Sequence, residues 1–270
     1  MYASARRMED LEYCKLNSNL IPLQLDVTDA GSLQNALRDI ESQNTGLYGL
    51  VNNAGVDSLG LLATWSEEEM NNIFNVNVFG PWRVTNACLN LLHEAKGRIV
   101  NIGSHGGMVT NKLFGPYSMT KHAIEAYTDC LREELQPYGL QVSIIQPGGI
   151  ASAIGFKSIK GLIRKLLRAG EPLKKEAEQI LSSLNGSKPL SLVELEPDAQ
   201  LEPSSPQVVA DAVEAALFSP VPKKRYLIGS KWEGELVLNG LMQRIVDEND
   251  SPQHGNSREQ LIALLDKYIS

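Results

Sequence analysis

The chain has 270 residues, 43% of them hydrophobic and 21% charged, which suits a globular α/β protein and argues against a disordered, collagen-like or coiled-coil one. With 25 basic against 32 acidic side chains the net charge is −7, so the broad basic face that a general nucleic-acid binder needs is not expected. Cys14, Cys88 and Cys130 are odd in number and far apart, which argues against a disulfide framework or a zinc site and for a reducing compartment. No apolar run approaches the ~20 residues of a membrane span and the first residues hold no signal-peptide core, so a cytoplasmic location is expected.

Short apolar runs alternate with helix-like stretches. Residues 2–5 and 20–27 read as strands, and Thr28-Asp29 as the cap of a helix that reaches Ile40. Residues 47–52 form a third strand ending in Asn52-Asn53-Ala54-Gly55. Ser66-Glu67-Glu68-Glu69 has the spacing of a capping box opening a long helix, bent near Gly80-Pro81 and ending near Ala95. A β-branched strand follows at 98–103, a helix at 116–136 stopped by Pro137 and Gly139, and a strand at 141–146 ended by Pro147-Gly148-Gly149. Between Lys157 and Lys175, Ile159, Leu162, Ile163, Leu166 and Leu167 form an apolar helical stripe, with Lys160, Arg164, Lys165 and Arg168 as a basic face. Residues 182–206 read as a long loop or lid, 206–218 as a helix, 225–229 as a late strand, 247–257 as a flexible polar stretch and 258–268 as a terminal helix.

Strands alternating with helices of this length imply βαβ units and a mostly parallel sheet, with ligands beyond the carboxyl ends of its strands. Three polar clusters fall at those ends, at 52–55, 104–107 and 147–149. Tyr117-Ser118-Met119-Thr120-Lys121 places a phenol and an ammonium at i and i+4, on one helix face. A neighbouring positive charge favours the phenolate and lowers a tyrosine pKa from about 10, toward proton exchange with an alcohol or ketone near neutral pH. Ser104 ends a strand thirteen residues before Tyr117, and Asn75-Val76-Asn77-Val78 interrupts the apolar stripe of the long helix with two polar residues.

In this order and spacing the motifs resemble the short-chain dehydrogenase/reductase family over residues 2–150, with weaker agreement to 225–229. The resemblance implies a Rossmann-like, doubly wound parallel sheet as one domain over 1–270, with a substrate lid at about 152–206 and a C-terminal extension at about 231–270. It implies Tyr117 as acid/base, Lys121 as the residue that lowers its pKa and binds the nicotinamide ribose, Ser104 as hydrogen-bond partner of the substrate oxygen, and Asn77 as holder of a relay water. Asp26 and Val27 would meet the adenine ring. Asn52, Asn53, Ala54 and Gly55 would line the adenine and ribose path. Pro147, Gly148 and Ile150 would flank the nicotinamide, with Ser152 where the family has a threonine. Arg6, just past the first strand with no acid in 2–7, favours NADP over NAD, a guanidinium being suited to a 2′-phosphate; the alternative is that it solvates a strand end.

The implied activity is an oxidoreductase interconverting a secondary alcohol and a carbonyl, in the hydroxysteroid/retinol dehydrogenase branch, with a lipophilic substrate under the apolar lid. A membrane-surface helix at 157–175 is the less favoured alternative, and a homo-oligomer built on the helices around 66–95 and 116–136 is expected. A sugar epimerase or dehydratase shares the Tyr-x-x-x-Lys pattern but fits the serine spacing and Asn-Asn-Ala-Gly less well. One departure stands out. The family's opening strand and Thr-Gly-x-x-x-Gly-x-Gly turn are absent from the sequence, so the expectation is an N-terminally truncated member whose strands at 2–5 and 47–52 lack a shared neighbour, and a non-catalytic or partner-subunit role is the alternative function. His105 is expected as a solvated loop residue, and His122, Trp65 and Trp82 as packing residues. Cys88 and Cys130 are expected in the core or an interface.

Overall fold

The computed structural model describes residues 1–152, 154–185 and 203–269. All strand pairs are parallel, in two separate sheets. In the first, β1 (Tyr2–Ala5) pairs with β2 (Ile21–Gln24). The second has the order β3 (Gly49–Asn52), β4 (Arg98–Ile102), β5 (Gln141–Pro147), β6 (Arg225–Ile228). The strands expected at 2–5 and 47–52 share no neighbour: among the described residues β1 pairs only with β2, and β3 only with β4.

Helices cover both faces. Asp29 caps α1 (Ala30–Ser42) by accepting from the Ser32 N–H, and Ala36 and Ile40 of α1 pack on Leu23. The Ser66–Glu69 capping box forms as its spacing predicts and opens α2 (Glu67–Phe74). The expected bend is a π-helical turn at Asn75–Phe79, continuing into α3 (Gly80–Glu94), with Pro81 in the first turn of α3 where its missing N–H costs nothing. The long α4 (Gly115–Leu135) crosses beside β4 and β5. Val84, Cys88 and Leu92 of α3 meet Ile99, Val142, Leu131 and Leu135 in the main core. Burial lifts the Cys88 thiol to about 11, leaving it an inert packing group. Cys130, by contrast, is exposed beside Glu134, because it lies on the outer face of α4.

A buried polar chain ties four elements together beneath the strand ends. The Asn52 amide donates to Thr85 Oγ1 at 3.0 Å and to Asn101 Oδ1 at 2.8 Å, and Asn101 donates to Thr128 Oγ1 at 2.9 Å. These residues sit on β3, α3, β4 and α4. On the far side, Ala212 and Ala216 of α7 (Gln207–Phe218) pack on Val100 and Ile145.

Helix α5 (Ile154–Leu166) departs from the expected stripe. Leu162 and Leu166 are buried with Leu59, Leu61 and Ala177, the last from α6 (Lys174–Asn185), but Ile163 and Leu167 are exposed. Lys165, assigned to the solvated basic face, is 1% exposed. Its ammonium lies 3.8 Å from the centre of the Trp65 ring and donates to Ser58 Oγ at 2.6 Å, so a cation–π contact and a hydroxyl replace the water it gives up. Trp65 packs, as expected, whereas Trp82 is half exposed. Of the loop expected at 182–206, residues 182–185 close α6, Ser204 bridges Ile150, and 186–202 lie outside the described residues. The stretch 247–257 is helical up to Asn249, the last residue of α8 (Lys231–Asn249), which opens on a capping box at Ser230 and Glu233. The terminal helix α9 spans Arg258–Ile269.

Glu69 clamps α5 to α2. Burial acts to raise its pKa, but the Ser66 N–H and the charges of Arg168 and Lys165 outweigh it and set it at about 2. A folded-state value below the ordinary 4.5 adds stability at pH above 4.5 that is lost as pH falls toward 2, at most about 3 kcal/mol. Glu69→Gln is therefore expected to melt below wild type at pH 7 and to show a flatter decline in Tm between pH 5 and 3. A parallel decline in both proteins would refute this role.

Candidate active site

Three loops at the carboxyl ends of β3, β4 and β5 and the first turns of α4 build the site. Its geometry follows from local sequence. Strand β4 delivers Ser104, which caps a short 3₁₀ turn at His105–Gly107 by accepting from the Gly106 N–H at 3.1 Å. Gly107 is needed there, since a Cβ would lie 2.9 Å from the Lys121 carbonyl oxygen. Ser104 and Tyr117 both lie against Gly106, and Ser104 acts to lower the pKa of the Tyr117 hydroxyl. The i, i+4 spacing puts Lys121 beneath the phenol, with its Nζ 5.6 Å from the ring centre and donating to the Ile102 carbonyl at 2.8 Å.

The electrostatics differ from the sequence expectation. Burial pushes Tyr117 up to about 12; the Ser104 hydrogen bond pulls it down and the negative charge of Asp57 pushes it further up. The Lys121 ammonium is drawn to the Ile102 carbonyl below the ring and is itself desolvated, and burial of the phenol outweighs its attraction. Burial brings Lys121 down to about 8 against the opposing pull of Asp57 and Glu125. The phenol is thus held protonated at neutral pH, in the state from which a proton is donated. Asp57, whose carboxylate acts on Tyr117, Lys121 and Lys165 alike, had no motif to mark it in the sequence.

Asn77 is 2% exposed in the π-helical turn. Its Oδ1 accepts from the Val56 N–H at 2.8 Å, and its Nδ2 donates to the Val56 carbonyl at 2.8 Å and to Thr120 Oγ1 at 3.1 Å. The side chain therefore uses both its oxygen and its nitrogen to hold the 55–57 loop against α4.

The residues expected at the cofactor fall into two groups. At the end of β2, the Asp26 carboxylate accepts from the Thr28 N–H at 2.9 Å and hydroxyl at 2.6 Å, which keeps it below the ordinary carboxylate range with help from the charge of Arg6. Arg6 is exposed beside it, whereas Arg7 pairs with Asp10. Val27 packs on Gly80, and its carbonyl accepts from Arg83, which also holds Asn75. Asn53 and Ala54 are exposed at the end of β3, and Gly55 lies against Asn77. The second group begins with Pro147 at the end of β5 and continues through Gly148 and Ile150 in the turn beyond it, with Ser152 exposed farther on. These side chains fit the two ends of a nicotinamide dinucleotide: a carboxylate with an arginine at one, and a phenol, an ammonium and a glycine turn at the other. The stretch between them has no glycine-rich turn in this sequence.

His105 is not solvated as expected. Burial lowers its pKa, opposed by Glu233 and by a hydrogen bond to the Ile228 backbone. His122 packs as expected, with its Nδ1 at 2.9 Å from the Ser118 carbonyl. Among the described residues no cluster of His, Cys, Asp and Glu could hold a metal, and no helix is long and apolar enough to cross a membrane.

Comparison with known proteins agrees with this geometry. The sequence model described as short chain dehydrogenase matches residues 2–160. The chain is 34% identical over 171 residues to the mitochondrial D-β-hydroxybutyrate dehydrogenase of Rattus norvegicus, covering 61% of this chain and 49% of that protein. It is 32% identical over 225 residues to retinol dehydrogenase 7 of Mus musculus, covering 82% and 69%. A crystal structure of a short-chain dehydrogenase from Streptomyces avermitilis superposes with a TM-score of 0.70 at 26% identity, covering 92% and 84%. The chain spans about half the length of the rat protein. A matched family model over more than half the residues, a parallel sheet of the same fold, and a serine, tyrosine and lysine meeting at its carboxyl edge place this chain in the short-chain dehydrogenase family.

Proposed function

We propose that the protein is an NADP(H)-dependent oxidoreductase interconverting a secondary alcohol and a carbonyl in a lipophilic substrate. The observation that carries this reading is the gathering of Ser104, which acts to lower the pKa of the Tyr117 hydroxyl, and the Lys121 ammonium, 5.6 Å from the ring centre, around one phenol. When bound, the nicotinamide supplies or accepts the hydride. Tyr117 gives its proton to the substrate oxygen as the carbonyl is reduced and takes it back in the reverse direction. Ser104 Oγ orients that oxygen. Lys121, anchored on the Ile102 carbonyl, holds a positive charge next to the phenolate that forms, and Asn77 keeps the 55–57 loop against α4.

The exposed guanidinium of Arg6 at the adenine end supports NADP. The apolar cluster of Leu59, Leu61, Leu113, Phe114 and Leu162 between the 59–61 loop and α5 supports a lipophilic substrate and a lid role for 152–206. The half-exposed Phe79 of the π-helical turn, Trp82 of α3 and Met119 of α4 supply apolar surface for a second copy. The test is nucleotide oxidation with NADPH or NADH over a panel of lipophilic ketones, preceded by calorimetric titration with each nucleotide. Turnover with tighter binding of NADPH is the expected result, and tighter binding of NADH would overturn the cofactor assignment. The separation of the two sheets favours a second reading, a chain that keeps the catalytic residues without binding the nucleotide. Absence of any binding heat would favour it.

A further inference from the structure

The N-terminus of α8 meets the catalytic edge through one carboxylate. Glu233 completes the capping box with Oε2, which accepts from the Ser230 N–H at 2.8 Å and the Ser230 hydroxyl at 2.9 Å. The cap does not use Oε1. That oxygen accepts from the backbone N–H of Gly149 at 2.5 Å, in the turn beyond β5. Glycines make room for the carboxylate on every side. A Cβ on Gly148 would lie 2.5 Å from Oε1, and one on Gly229 would lie 2.8 Å from Oε2 and 3.3 Å from the His105 ring. The Gly148 N–H in turn donates to the Ile228 carbonyl at 2.9 Å. Farther along α8, Val237 is fully buried and Gly240 abuts Val109, in the loop that follows Ser104. Helix α8 therefore touches both loops that flank Tyr117.

We propose that Glu233 is a positioning residue for the reaction: its carboxylate fixes the Gly148–Ile150 turn, and with it the backbone that faces the nicotinamide, while the same group caps α8. This rests on the functional reading above. A carboxylate oxygen accepting from a backbone N–H is a strong, directional tie, and the turn has no side chains of its own at 148 and 149 to set its path. Loss of the tie leaves the phenol, serine and lysine in place but loosens the turn at the Gly149 N–H, leaving it only its backbone bonds to Ile228 and Ser204, so the effect falls on cofactor binding more than on the proton step.

Four variants separate this role from simple capping. Ser230→Ala removes the capping hydroxyl and leaves the Gly149 bond. Glu233→Gln keeps an acceptor at Oε1. Glu233→Asp keeps the charge, but its carboxylate stops one methylene short of the turn. Glu233→Ala removes both contacts, and Glu233→Asp carries the test if this variant does not fold. Backbone amide exchange at Gly149 is read by NMR, with cofactor KM, kcat and Tm measured in parallel. Glu233→Ala and Glu233→Asp are expected to speed Gly149 exchange and raise cofactor KM by about tenfold, with kcat within about threefold of wild type. Glu233→Gln is expected to restore most of both, and Ser230→Ala to lower Tm while leaving both unchanged. Unchanged Gly149 exchange in Glu233→Asp, or equal effects of Ser230→Ala and Glu233→Asp on cofactor KM, would overturn the proposal. If the wild type turns over no substrate with either nucleotide, the functional reading fails, and the exchange data still decide whether Glu233 holds the turn.

Discussion

Replacing Tyr117 with Phe is expected to lower kcat by about 10²–10⁴-fold while leaving the nucleotide dissociation constant within about twofold of wild type. The change removes one oxygen. Its partner is Ser104, and the ring, its packing and the Lys121 ammonium beneath it all remain. A structural or purely binding role for Tyr117 would move affinity or stability instead of turnover. The direction of the proton transfer is also testable. With burial holding the phenol at about 12, it is protonated across the neutral range, so carbonyl reduction should show no loss of rate attributable to Tyr117 between pH 6 and 8. Steady-state rates at saturating nucleotide, together with calorimetric titration of the variant, check both statements. Retained turnover would remove Tyr117 from the reaction.

Asn101→Ala is expected to be the most destabilising of the substitutions considered, by about 2–4 kcal/mol. Asn101 is 1% exposed and accepts from Asn52 while donating to Thr128, so its loss leaves one buried amide hydrogen of Asn52 and one acceptor position of Thr128 unfilled and opens a void between β4 and α4. Because the chain continues from Asn52 to Thr85 on α3, the loss also loosens the helix that starts at the π-helical turn. Chemical denaturation compares the two proteins. Asn101→Asp serves as a control, since it keeps the acceptor for Asn52 but cannot donate to Thr128 in its ionised form. A midpoint for Asn101→Ala within experimental scatter of wild type would show that the network contributes nothing.

Much of the candidate site was legible in the chain because its parts are local. The Ser66–Glu69 box is a spacing of three, and the Tyr117–Lys121 pair is one helical turn. The clusters at 52–55, 104–107 and 147–149 fall at strand ends that a hydrophobic period can locate. Arg6, Asp26 and Val27 came from the family resemblance, and folding does bring the charge of Arg6, just past β1, into range of Asp26 beyond β2. What escaped depends on contacts between distant segments. Lys165 reads as solvated by helical periodicity, yet Trp65 and Ser58, about a hundred residues earlier, enclose it. His105 reads as a loop residue, yet Gly229 and Glu233 arrive from the other end of the chain to cover it.

By itself the sequence determined the alternation of strands and helices, the polar clusters at the strand ends and the residue types that carry proton chemistry. Those features are set by side-chain period, capping chemistry and one-turn spacing, which act over a few residues. Only the tertiary structure decided the protonation state of the phenol. The sequence places a positive charge one turn from Tyr117, which by Coulomb attraction alone predicts an acidified tyrosine. Folding buries both groups, directs the ammonium to the Ile102 carbonyl and brings Asp57 into range, so desolvation outweighs the attraction and the proton stays on the oxygen that is to donate it.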